Sequence, residues 1–217
     1  MFQLKLDGPS SPLRHILCLG AHSDDIEIGC GGTLLRLIDE HPQVQVTWVV
    51  FSSTPERETE ARASAGDFLQ GVAQQQVIVH HFRDAFFPYE ALAIKESFEA
   101  LKAECTPDLI FTHCRHDLHQ DHRILCEFTW NTFRDHLICE YEIPKYDGDL
   151  LTPNLYVHLD KRTRERKIEL LMRHFATQAN KHWFTSETFL SLLRLRGIES
   201  RAVEGYAEGF YCRKVVI

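Results

Sequence analysis

The sequence predicts an α/β protein: a Rossmann-like three-layer fold with a mostly parallel central sheet and helices on both faces. Three observations predict it. Short β-branched and aromatic runs alternate with segments of helical periodicity over the first two thirds of the chain. Proline, glycine and capping residues punctuate them where one element should hand over to the next. The 217 residues, 44% hydrophobic and 25% charged, suffice for one full core, with no Ser/Gly/Pro-rich linker to divide it. A single domain over residues 1–217 is therefore expected.

The elements follow in order. "HILCLGA" (15–21) is apolar and short, a buried strand. "GTLLRLIDEH" (32–41) places Leu34, Leu35, Leu37 and Ile38 at helical spacing. "VQVTWVVFSS" (44–52) is β-branched and aromatic, a second strand. Residues 55–71 read as a helix, with Thr54 as N-cap, Pro55 in the first turn and Gly71 at the end. "QVIVHHF" (76–82) is a third strand, 89–105 a helix that stops before Pro107, and "DLIFTH" (108–113) a fourth strand. A helix over 122–134 and a strand over 136–143 complete the repeating part. The tail adds "NLYVHLD", a long helix from "KRTRERK", a helix in "TSETFLSLLRLRG" and a last strand "FYCRKVVI". The loop 144–154, rich in turn residues, is placed as a lid or rim.

Composition excludes several classes. Lys+Arg 24 against Asp+Glu 31 gives a formal charge of −7, no basis for nucleic-acid binding. No apolar run reaches the roughly 18–20 residues that span a membrane, so no integral membrane contact is expected. The start shows no basic segment followed by an apolar one, so no signal peptide is expected. Seven cysteines, an odd count with no CxxC pair, read as reduced thiols and a cytoplasmic setting.

In open α/β sheets ligands sit beyond the carboxyl ends of the strands. "AHSDDIEIGCGG" (21–32) follows the first strand and "HCRHDLHQDH" (113–122) ends the fourth, so both clusters fall on one rim. A phosphate loop fits the first poorly. Gly29, Gly31 and Gly32 lack the GxGxxG spacing and stand behind three acids that would repel a pyrophosphate. A metal fits better. A hydrolytic zinc site uses three protein ligands and keeps one position open. His22, Asp25 and one histidine of the second cluster make such a set, leaving Asp24 and the other histidine for proton transfer.

These motifs carry a family likeness. "AHSDDIEIGCGGTL" resembles the AHPDDE signature of the LmbE-like de-N-acetylases, also called the PIG-L family, and "HDLHQDHR" resembles its second motif, HPDH or HxDH. "PDLIFTH", "YEIP" and "RGIESRAVEGYAEGF" extend the likeness over nearly the whole chain. The resemblance implies removal of an acetyl group from the nitrogen of an N-acetylated amino sugar of N-acetylglucosamine type. It implies one Zn²⁺ per chain on His22, Asp25 and His122; another divalent ion such as Fe²⁺ would suit the same donors. Asp24 matches the general base, His119 the group that stabilises the oxyanion and protonates the amine, and Asp121 the acid that orients a histidine. Arg57, Asp84, Tyr141 and Glu142 are candidate substrate contacts. The expected partner is a small N-acetylated sugar or glycoconjugate, and the oligomeric state is left open, a homo-oligomer included.

The spelling departs from the signature at Ser23, where proline is usual, and at Ile26, with Glu27 one place after the family's glutamate; Glu27 is read as structural. The glycines are read as a tight turn into a helix beginning near Gly31. His113 and His116 are read as exposed rim histidines. Two rival functions are a metallo-β-lactamase-like hydrolase, whose HxHxDH motif nearly matches "DLHQDH", and a non-catalytic sugar-binding member of the same family.

Overall fold

In the computed structural model of the chain, residues 3 and 12–216 are described. The stretch read for a signal peptide lies almost wholly outside them, as does Ile217 at the end of the predicted last strand. The repeating part runs β1 (His15–Gly20), α1 (Asp25–Glu40), β2 (Gln45–Val50), α2 (Pro55–Phe68), β3 (Gln74–Val79), α3 (Ala91–Glu104), β4 (Leu109–His113), α4 (Gln120–Thr132) and β5 (Leu137–Tyr141). The tail supplies β6 (Leu155–His158), α5 (Lys161–His174), α6 (Ser186–Glu199) and β7 (Ala207–Cys212).

The seven strands form one sheet in the order β3-β2-β1-β4-β5-β7-β6. The first five are parallel, and β7 runs antiparallel to both β5 and β6. Alternate residues of each strand serve opposite faces. Ile16 and Cys18 join Trp48, Phe68, Leu171 and Phe189 in the core under α1, α2, α5 and α6. Leu17 and Leu19 join Phe51, Phe98 and Leu125 under α3 and α4. This is the three-layer architecture that the alternating pattern predicts. A sandwich of two sheets, which the lactamase-like reading requires, is not what these strands build.

The strand order positions the site. The chain winds from β1 outward through β2 to β3, then returns to place β4 on the other side of β1. The helices that follow β1 and β4 therefore splay apart, and a crevice opens between their N-termini. Both motif clusters sit at that crevice.

The glycines do something other than turn the chain. Helix α1 begins at Asp25, so Gly29, Gly31 and Gly32 lie inside it rather than before it. Their job is close approach. A Cβ at Gly29 would stand 2.1 Å from the Tyr141 ring, and one at Gly32 would stand 2.6 Å from Leu159. The bare helix face lets α1 settle on the sheet. Gly29→Ala should cost about 1–3 kcal/mol through overpacking. Urea denaturation would register it, and an unchanged midpoint would contradict the packing.

Candidate active site

The site grows from four strand ends. His22, Asp24 and Asp25 follow β1, Arg57 stands in the first turn of α2 after β2, Asp84 follows β3, and His119 and His122 open α4 after β4. Asp24 occupies the N-cap position of α1, yet its side chain makes no capping bond. It turns to Arg57 instead, whose Nη2 donates to Asp24 Oδ1 at 2.6 Å. An acid usually stabilises a helix by capping it. Here that contribution is given up for a contact across the cleft.

Three donors form a triangle. His22 Nδ1 lies 3.3 Å from Asp25 Oδ2 and 3.2 Å from His122 Nε2, and the third edge, His122 Nε2 to Asp25 Oδ2, is 3.6 Å. A tetrahedral ion with bonds of about 2.0–2.1 Å has donor–donor edges of about 3.3–3.4 Å. Carboxylates fix the tautomers that such an ion needs. His22 Nε2 faces Asp84 Oδ1 at 3.1 Å and Asp121 Oδ2 at 3.4 Å, which leaves the Nδ1 lone pair toward the triangle. His122 Nδ1 donates to Asp117 Oδ2 at 2.9 Å, which leaves Nε2 toward the triangle. Carboxylate–histidine pairs of this kind orient metal ligands. Two neutral imidazoles and one carboxylate fit Zn²⁺ or a similar divalent ion.

The electrostatics agree at two of the three donors. At the third, burial alone would lower the His22 imidazole, but Asp25, Asp121 and Asp84 raise it well above its ordinary value, so a bound ion would have to take the place of its proton. Burial alone would raise the Asp25 carboxyl, but His122, His113 and His22 around it hold it well below the usual carboxylate range. Burial, with His113 stacked beside it, pushes the His122 imidazole down to about 3, so it presents a lone pair. Asp84 is lowered to about 2, chiefly by its bond to His22. Burial raises the Asp24 carboxyl against the pull of Arg57. A carboxylate with raised proton affinity, held beside the donor triangle without being part of it, suits a base.

His119 caps α4. Its Nδ1 accepts from the Asp121 amide at 3.3 Å, so Nε2 carries the proton and is left as a donor. Its ring stands edge-on to His22 with centroids 5.0 Å apart. Asp121 itself does not orient His119 with its carboxylate. That group faces His22 and accepts from the amides of Ala85 (2.7 Å) and Phe87 (3.2 Å), pinning the Asp84 loop to the site.

Two expected substrate contacts are corrected. Tyr141 is fully buried, its ring against Gly29 and its hydroxyl donating to the Leu19 carbonyl at 2.6 Å. Glu142 is buried too, in an ion pair with Arg196 at 2.6 Å. The pleat of β5 turns Tyr141 into the core beneath α1, and the carboxylate after it reaches Arg196 on α6. Neither lines the cleft. Arg57 and Asp84 do.

His113 is not the exposed rim residue that its place before the motif predicts. It is fully buried, accepts from the Ala21 amide at 3.0 Å, and lies 3.2 Å from Asp25 Oδ2. His116 is exposed, as expected. Asp117, passed over in the sequence, holds both histidines of the second motif: Oδ1 accepts from the His119 amide at 2.8 Å and Oδ2 from His122. Lys145 binds Asp117 at 2.9 Å and Asp149 at 2.5 Å, tying the rim loop to that carboxylate. Asp117→Asn should weaken metal binding about 10–100-fold with the fold intact. Metal titration of the apoprotein measures it, and an unaltered affinity would remove Asp117 from the site. Glu27 is fully buried between α1 and α2, with no hydrogen-bond partner on either oxygen, and burial pushes its carboxyl well up.

The cleft has a volume of about 260 Å³. Beyond the residues above it is lined by Lys145, Tyr146 and Asp147 of the rim loop, and by Gln178, Lys181 and Trp183 between α5 and α6. The last three were missed in the sequence. A tryptophan in the polar stretch "NKHWFT" was the one available signal.

Fold and site define a three-layer α/β protein with a buried His/Asp cluster that could hold a metal where the strand order reverses. The chain belongs to the PIG-L family: the family described as GlcNAc-PI de-N-acetylase matches residues 17–133. No curated protein matches the chain. Solved structures do. The N,N'-diacetylchitobiose deacetylase from Pyrococcus horikoshii superposes with a TM-score of 0.71 at 22% identity, over 96% of this chain and 87% of that one. The A40926 pseudoaglycone deacetylase Dbv21 gives 0.70 at 20%, over 93% and 98%. The 4-carboxy-2-hydroxymuconate hydratase GalB from Pseudomonas putida KT2440 gives 0.71 at 15%, over 94% and 98%. At these identities the likeness is one of fold. No helix among the described residues is long and apolar enough to cross a membrane.

Proposed function

We propose that this chain is a metal-dependent amidohydrolase that removes the acetyl group from an N-acetylated amino sugar of N-acetylglucosamine type, releasing acetate and the free amine. The observation that carries this reading is the pairing of a donor triangle with a carboxylate outside it, Asp24, and an imidazole N–H, that of His119. His22, Asp25 and His122 would hold the ion, with Zn²⁺ the first candidate. A divalent ion bound there supplies Lewis acidity toward the amide carbonyl and lowers the pKa of water.

The chain's own groups do the rest. Asp24 takes the proton of the attacking water, and its raised proton affinity makes it a competent acceptor. The N-termini of α1 and α4 point at the crevice, so their dipoles favour the negative charge that develops on the carbonyl oxygen. Neutral His119 donates a hydrogen bond from Nε2–H to that oxygen, and the proton that Asp24 has taken up passes to the departing nitrogen, which returns Asp24 to its carboxylate form. Arg57 holds Asp24 in place, and Asp84 offers an exposed carboxylate to sugar hydroxyls. Trp183 and Tyr146 give flat apolar faces at the cleft for a pyranose ring.

The test is amine release from N-acetylglucosamine, N,N'-diacetylchitobiose and glycoside-linked N-acetylglucosamine, with each of Zn²⁺, Fe²⁺, Co²⁺ and Mn²⁺ and with chelator. Chelator-sensitive release of equal acetate and amine supports the reading. Stoichiometric metal and sugar binding without release would favour a non-catalytic binder. Because the hydratase GalB shares the fold, fold alone does not decide the matter, and the product assay does.

A further inference from the structure

Two of the seven cysteines face each other across the antiparallel part of the sheet. Cys139 on β5 is directly opposite Cys212 on β7. The Cys212 amide donates to Asn154 Oδ1 at 2.8 Å, and its carbonyl accepts from Asn154 Nδ2 at 2.9 Å. Asn154 precedes β6, on the other side of β7, and its own amide donates to the Phe210 carbonyl. Both backbone groups of Cys212 thus point away from β5, so Cys139 and Cys212 form a non-hydrogen-bonded cross-strand pair. Such pairs hold their Cα atoms about 4.5 Å apart with the side chains drawn close. A disulfide takes Cα separations of about 4.4–6.8 Å. The backbone already stands where the bond needs it.

We propose that Cys139 and Cys212 are a dithiol modification site that closes to a cross-strand disulfide by exchange with a low-molecular-weight disulfide. The Cys212 thiolate attacks one sulfur of the external disulfide, forming a mixed disulfide and expelling one thiolate. Cys139 then gives up its proton and attacks Cys212 Sγ, forming the internal bond and expelling the second thiol. Two protein thiols and one external disulfide become one protein disulfide and two small thiols, so the electrons balance.

The order of attack follows from access. Cys212 is partly exposed, whereas Cys139 is 2% exposed. A hydrogen bond from Cys139 also lowers the Cys212 thiol to about 7, while Cys212 and burial push Cys139 up. Thiolate, not thiol, is the nucleophile. Cys105 is the internal control. It is comparably accessible, but burial raises its thiol and no cysteine stands opposite. Cys18 and Cys30 lie side by side in the core and are fully buried, so an external disulfide has no route to them.

The staple would join β5 to β7 and enclose the rim loop, β6, α5 and α6 in one covalent ring. It lies apart from the cleft residues, so it should act on stability rather than on the site.

The experiment treats the folded full chain with oxidised glutathione at pH 7.5, quenches with acid, and reads intact mass and disulfide-linked peptides. The expected product is two hydrogens lighter, carries a 139–212 linked peptide, and unfolds at a higher temperature than the reduced chain. Cys139→Ala and Cys139→Ser should both stop at a glutathione adduct on Cys212. Cys212→Ser should stay unmodified over the same time. Cys212 should react at least about tenfold faster than Cys105. Equal labelling of Cys105 and Cys212, or a Cys212 adduct that persists in the natural sequence, would overturn the proposal. Circular dichroism confirms that each variant is folded.

Discussion

Asp24→Asn should lower kcat for amide hydrolysis by about 10²–10⁴, the usual loss when a general base is removed, while metal content stays at one ion per chain. The substitution keeps the size of the side chain and takes away its ability to accept a proton. Asp24 stands outside the triangle of His22, Asp25 and His122, so the donors remain in place. Arg57 loses its ionic partner, but the amide oxygen can still accept from Nη2. KM should therefore move much less than kcat. His122→Ala gives the complementary result: the metal is lost, and activity with it, because one of three donors is gone. Elemental analysis beside steady-state kinetics separates the two variants. A fully active Asp24→Asn, or a folded one that has lost its metal, would sink the assignment of the base.

Glu208→Gln should destabilise the fold by about 3–5 kcal/mol, the cost of leaving one member of a buried ion pair uncompensated. At roughly 2–4 °C per kcal/mol for a chain of this size, that is a fall of about 6–20 °C in Tm. Glu208 on β7 and Lys167 on α5 are each about 2% exposed at the side chain and meet at 2.5 Å. The carboxylate also accepts from the amides of Gly32 (2.8 Å) and Thr33 (2.6 Å), and Lys167 donates to the Ile28 carbonyl at 2.7 Å. The pair thus grips α1, the helix whose first turn carries Asp25. Replacing both partners, as Lys167→Met with Glu208→Gln, should recover much of the loss, since no buried ammonium is then unpaired. Recovery would be incomplete because glutamine cannot satisfy both amides as a carboxylate does. Scanning calorimetry decides it, and a loss below about 1 kcal/mol in the single variant would show that solvent reaches the pair.

Much of the site was legible because its chemistry is local. "HSDD" and "HQDH" each pack ligand-type residues into one turn, and each follows an apolar run that can only be a buried strand. The rule that parallel sheets bind ligands at their carboxyl rim then brings the two together without coordinates. The residues that were missed act through side-chain directions and loop contacts that the local spelling does not show. Asp117 matters because His122, one turn along, points its Nδ1 back at it, and Lys145 matters because the rim loop folds onto Asp117. Tyr141 and Glu142 were misplaced for the same reason. Strand alternation says that they face opposite sides, but only the packing says that one meets Gly29 and the other Arg196.

The sequence by itself determined the α/β class, the order of the elements, and which residues can bind a metal or move a proton. Those follow from periodicity and residue chemistry, which are properties of short segments. Only the tertiary structure decided that β4 lies beside β1, that His113 is buried against Asp25 rather than exposed, and that the glycines of "AHSDDIEIGCGG" are packing surfaces inside α1 rather than a turn before it. A glycine reads alike whether it frees a backbone or makes room for a neighbour. The difference lies in what stands opposite, and here that is Tyr141, over a hundred residues away along the chain.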